Sequence, residues 1–213
     1  MNVRTIRFGD EGQAATRELA RAFGPVVPPG LAAHLKTFEA IDRRHGGVGA
    51  LPLEDAADLA DAAIVESARL DLDELTVGIA LWAMRHELGV RAVAPVVNAL
   101  ARRSNAAGNR EQLSAAFGLM QALAGHVAPA LGADLERSDP DRPWRVLHVN
   151  MAITAIRTED PAMMSYAFDA LDRALPDECA GFYAEAMALA LAPRIAPAVR
   201  EAIEGRHRSW TQP

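Results

Sequence analysis

Apolar residues recur at a helical period along almost the whole chain. The stretch "PPGLAAHLKTFEAIDRR" sets Leu31, Leu35 and Phe38, then Ile41 or Asp42, on one stripe, with prolines where a helix tolerates them, in its first turn. "LEDAADLADAAIVESARL" and "DELTVGIALWAMRHELG" read as a helical hairpin joined by "DLD", the second helix stopping at Gly89 as a C-terminal cap. In the next pair, "RAVAPVVNALARR" and "NREQLSAAFGLMQALAGHVAPAL", the longer helix carries the seam Leu113, Phe117, Met120, Ala124, Val127 and Leu131. Asp141 and Pro143 open a helix that runs to about Thr158, and Asp160 and Pro161 open another that ends at Pro176. Two more follow, "DECAGFYAEAMALALA" and "APAVREAIEGRHRSW".

Connections this short make successive helices antiparallel neighbours. The pattern therefore predicts an all-α protein of about eight or nine helices packed as antiparallel hairpins, with its most buried helix near residues 143–157. At the amino terminus "VRTIRF" alternates too briefly for more than a short strand, so residues 1–12 read as an extended arm. "HGGVGALP" marks a flexible break near residues 45–52. A chain of 213 residues fits a single domain spanning 1–213.

The helix "YAFDALDRALP" resembles the second half of a tetratricopeptide repeat, with Phe168, Leu171 and Pro176 where that repeat has its Phe, small residue and Pro. Trp144 is out of register for the repeat's first helix, Met164 stands in place of its Ala, and no second copy follows. The resemblance implies a short stack of helical hairpins.

Composition supports helix: half the residues are apolar but only 5% are aromatic, so Ala, Leu and Val carry the core. Acids number 28 against 22 Lys and Arg, for a net charge of −6, and Lys36 is the only lysine. A nucleic-acid binder shows a basic excess instead, so no nucleic-acid partner is expected. The arginine bias fits genome composition better than anion recognition. Cys179, the only cysteine, rules out an internal disulfide and a cysteine zinc cluster. No segment has the uninterrupted apolar length of a membrane span, which points to a soluble, cytoplasmic protein.

"RPWRVLHVNMAITAI" is apolar on nearly every side yet holds His148 and Asn150 in its middle, with Arg145 one turn before. A buried helix must pair such groups, or each costs about 1–3 kcal/mol. At about 100° per residue the two side chains point some 200° apart, so they do not converge on one atom. The bland reading makes them core groups bonded to backbone or neighbours; the sharp one makes them a ligand site. "ARRSNAAGNRE" gathers Arg102, Arg103, Asn105, Asn109 and Arg110 ahead of a helix N-terminus, a candidate anion loop. An ordinary helix–helix turn capped by Asn109 is its bland reading.

Residues 54–74 are strongly acidic, and Asp55, Asp58, Asp61 and Glu66 form a candidate partner-binding face. The following arginines either pair with it within the chain, pair with it across a dimer axis, or leave it for a charged partner. Glu204 and His207 give one Glu-x-x-His, where a di-iron bundle needs two, so neither metal nor cofactor is called for. The leading functional reading is a non-catalytic helical protein–protein interaction module, an adaptor or accessory subunit that binds another protein or itself as a homodimer. The alternative is an enzyme or small-molecule-binding protein with an interhelical pocket near His148 and Asn150.

Overall fold

Ala-rich and Leu-rich segments at helical spacing form ten α-helices among the described residues, which in the computed structural model are 11–46, 54–192 and 195–211, the side chains of 54 and 55 excepted. The helices are α1 (Glu11–Phe23), α2 (Pro29–His45), α3 (Glu54–Arg69), α4 (Asp73–Arg85), α5 (Val93–Ala106), α6 (Arg110–Leu131), α7 (Pro143–Thr158), α8 (Pro161–Ala174), α9 (Cys179–Ala190) and α10 (Pro197–Thr211). The protein is all-α, and no helix among the described residues is long and apolar enough to cross a membrane. Residues 1–10 of the expected arm and most of the expected break at 45–52 lie outside the described residues; Glu11 and Gly12 already belong to α1. Periodicity alone overlooks α1 because its buried stripe, Gly12, Ala15, Glu18 and Leu19, includes a glycine and a carboxylate.

Contacts along the chain group into two compact units, residues 1–103 and 104–213. In the first, α4 packs against α1 and α3, and α3 against α2. Every residue from Leu75 to Ala80 is buried, so α4 is enclosed on all sides, more completely than the helix near 143–157 expected to be the most buried. Thr76 and Gly78 interrupt the apolar run and disguise it in the sequence.

Three polar side chains tie α4 to its neighbours. Glu18 on α1 accepts the backbone N–H groups of Glu74 (3.1 Å) and Leu75 (2.9 Å), serving as a cap supplied from another helix. Burial raises the Glu18 pKa, and the same two amides oppose that rise. Asp42 on α2 accepts the Trp82 indole N–H at 2.6 Å and lies 3.3 Å from His86 Nε2. Phe38, Trp82 and His86 stack beside it, with ring centroids 4.5 and 4.6 Å apart. On α3, Ser67 Oγ meets Thr76 Oγ1 at 2.8 Å.

In the second unit α7 packs against α6 and α8, while α10 packs against α9 and α8. Asn109 caps α6 through Gln112 N–H, and Asp160 caps α8 through Ala162 and Met163, as their positions predict. Two expected helix boundaries differ. Asp141 does not cap α7, whose N-cap is Arg142 without a side-chain cap bond. Gly89 does not end α4 either: the helix stops at Arg85, and Glu87 takes the left-handed conformation (φ 57°) so that Leu88 N–H reaches Ala83 O. Burying Leu88 offsets the strain of a non-glycine residue there.

Removing Asp42 takes away the acceptor of the buried Trp82 indole N–H and the carboxylate beside His86. Asp42→Ala is expected to lower stability by about 3 kcal/mol, and Asp42→Asn by about 1 kcal/mol because it keeps an acceptor. Urea unfolding followed by circular dichroism measures both. A cost for Asp42→Ala no larger than the ~0.5 kcal/mol of a surface substitution would show that this contact is not structural.

Candidate functional site

Trp144 and His148 lie one turn apart on α7 and therefore share a face. Their rings meet edge to face at 4.3 Å, and both are almost fully buried, at 8% and 4% exposure. Neither imidazole nitrogen of His148 has a hydrogen-bond partner among the described residues, nor does the Trp144 indole N–H. Burial, reinforced by the positive charge of Arg173 and opposed by Asp134, pulls the His148 pKa from 6.5 down to about 4. The ring is therefore neutral near pH 7, with one N–H to give and one lone pair to accept.

Both rings line a slot of about 240 Å³ between α6 and α8. Its other boundaries are small, with Ala124, Gly125 and Ala128 from α6 and Ala170 and Ala174 from α8. Tyr166 and Arg173, both exposed, also come from α8. Tyr166 is steadied by an edge-to-face contact with Phe117 at 6.1 Å.

The other sequence candidates are dispersed. Asn150 donates back to Val146 O within α7 at 2.8 Å and does not line the slot. Arg145 bonds Glu178 and, at 3.1 Å, Pro140 O. Each arginine of the candidate anion loop is on a carboxylate: Arg102 on Asp73, Arg103 on Glu11 and Glu74, and Arg110 on Glu159. Asn109 is occupied as the α6 cap, and Asn105 is exposed.

The acidic segment is likewise engaged within the first unit. Asp58 and Asp61 both hold Arg91, and Asp61 also accepts the backbone N–H groups of Arg91 and Ala92, each at 3.0 Å. Glu66 lies 3.2 Å from His34 Nδ1 without hydrogen-bond alignment. The side chain of Asp55 is outside the described residues.

A second cavity, about 300 Å³, opens between α7, α9 and α10. Val149, Ile153, Ile156, Phe182, Leu189 and Ile203 make it strongly apolar, with Arg157 and Glu185 the charged groups on its lining. Arg157 donates to Ser104 O (2.8 Å) and Ala107 O (3.5 Å), completing the C-terminal end of α5 within the second unit. Glu185 is exposed. Leu189 and Leu191 stand out at 74% and 65% exposure, and Ile153 at 41%.

Reasoning from the sequence overlooks two polar clusters. One is Asp42 with Trp82 and His86; its visible signal is the aspartate on the Leu31–Leu35–Phe38 stripe. In the other, Asp172 accepts from Tyr183 Oη (2.8 Å), Arg206 (2.6 Å) and Trp210 Nε1 (3.1 Å). Burial pushes the Tyr183 phenol and the Cys179 thiol up, the latter to about 12, so Cys179 is a packed thiol rather than a nucleophile. No group of three or more His, Cys, Asp or Glu side chains among the described residues is placed to hold a metal ion. Comparison with known proteins finds no family model, curated protein or solved structure that matches the chain.

His148 titrates differently folded and unfolded, which fixes a pH dependence. Its unfolded pKa is near 6.5 and its folded pKa about 4, so the unfolded chain binds the extra proton between these values. Its contribution is complete above pH 6.5 and is lost as pH falls through about 4, on the order of 3 kcal/mol in all. His148→Phe removes this contribution, so the stability difference between variant and wild type should widen in favour of the variant from pH 6.5 to pH 4. Parallel urea curves at each pH measure it; a constant difference would mean that His148 is not buried as a neutral ring.

Proposed function

We propose that the protein is a non-catalytic helical interaction module of the cytoplasm, an accessory subunit that works as a homodimer through the groove between α7, α9 and α10. The observation that carries this reading is the outward face of α9. A helix apolar on all sides is ordinarily buried on all sides. Here Cys179, Tyr183 and Ala190 face inward, while Ala180, Ala184, Ala188 and Leu189 are exposed with Glu185 as the one charge of the helix.

A second copy suits this face because the face carries both halves of a contact. Leu191 protrudes beside an apolar groove, so a two-fold axis sets the leucine of each copy against the groove of the other. Arg157 and Glu185 border the same groove with opposite charges, and two-fold symmetry brings each toward its complement. Alanines at one-turn spacing on α9 let the two backbones approach closely.

Analytical ultracentrifugation of the wild type and of a Leu189→Asp, Leu191→Asp double variant tests the reading. A wild-type dimer and a monomeric variant with unchanged helical circular dichroism are expected. A monomeric wild type, or a variant that remains dimeric, would remove the proposal.

A further inference from the structure

We infer that the slot between α6 and α8 is a binding site for a small planar aromatic carboxylate that carries a second hydrogen-bonding group. This inference is independent of the α9 groove, which shares no lining residue with the slot. It starts from the three bare polar atoms, the two imidazole nitrogens of His148 and the indole N–H of Trp144. Native interiors satisfy nearly all such atoms, and a site awaiting a ligand is one of the few places where they stay open. The other two tryptophans mark the contrast: the indoles of Trp82 and Trp210 both reach carboxylates.

Shape and charge narrow the ligand. Small residues from α6 and α8 border the slot, and Trp144, His148 and Tyr166 add three rings to its lining, as aromatic recognition requires. Tyr166 and Arg173 lie two turns apart on α8 and both border the slot, one offering a ring and the other a positive charge. Arg173 is exposed and makes no ion pair among the described residues, which suits it to a ligand carboxylate. At the other end of such a ligand, a hydroxyl both accepts from an N–H and donates to a bare imidazole nitrogen.

The probe is 4-hydroxybenzoate, read by the Trp144 indole N–H resonance, which Trp144→Phe identifies among the three tryptophans of the chain. Two variants control for the site. Gly125 lines the slot and an added Cβ there meets nothing within 4 Å, so Gly125→Leu starts from open space and takes up slot volume, with unchanged circular dichroism as the check on its fold. Arg173→Gln removes the charge from an exposed position. A saturable shift of the Trp144 signal is expected, abolished by Gly125→Leu and weakened about tenfold by Arg173→Gln. Absence of a saturable shift, a shift that survives both variants, or equal binding of neutral 4-hydroxybenzamide would overturn the inference.

Discussion

The enclosure of α4 is the constraint on which the first unit depends. A helix surrounded by other helices has no water for its first amides or for any polar side chain it carries, so its neighbours must supply each partner. Glu18, Asp42 and Ser67 do so from α1, α2 and α3. The bonds of Glu18 and Asp42 span 56 and 40 positions, that of Ser67 closes a hairpin, and each fixes the rotation and height of one helix against α4. Apolar packing alone tolerates sliding; a carboxylate that must meet two particular amides does not.

The same logic governs the charged residues. Asp61 accepts the amides that lead into α5, and Arg200 donates to Ala190 O at the end of α9 (3.0 Å). Arg142 is buried with a two-pronged pair to Asp134 (2.6 and 3.0 Å), pinning the turn between α6 and α7. Within the acidic stretch, Asp58, Asp61, Asp73 and Glu74 each meet an arginine. Exposed pairs of this kind contribute little singly, but they direct which helix ends lie together.

How much of this was legible follows from what each signal depends on. Helix existence rests on local periodicity, so α2 through α10 could be read, and Asn109 and Asp160 as caps with them. Helix α1 is not legible because its stripe buries Glu18, whose reason for being inside is an amide more than fifty positions away. Gly89 is a false stop signal because the left-handed residue is Glu87, held by the burial of Leu88. For the site, His148 was readable as a polar group on an apolar helix. That Asn150 bonds within its own helix while His148 has no partner could not be read, since it depends on how α6 and α8 flank α7.

The two most enclosed helices differ in how completely their polar groups are met, and this has a kinetic consequence. Around α4 every local opening breaks several cross-helix bonds at once, so its amides should exchange with solvent only when the whole unit unfolds. The first turns of α7 carry bare ring nitrogens beside a slot edged with alanine and glycine, where admitting water restores hydrogen bonds instead of breaking them. Opening there should be separable from opening of the first unit, so that protection against deuterium in α7 would gauge whether the slot is filled.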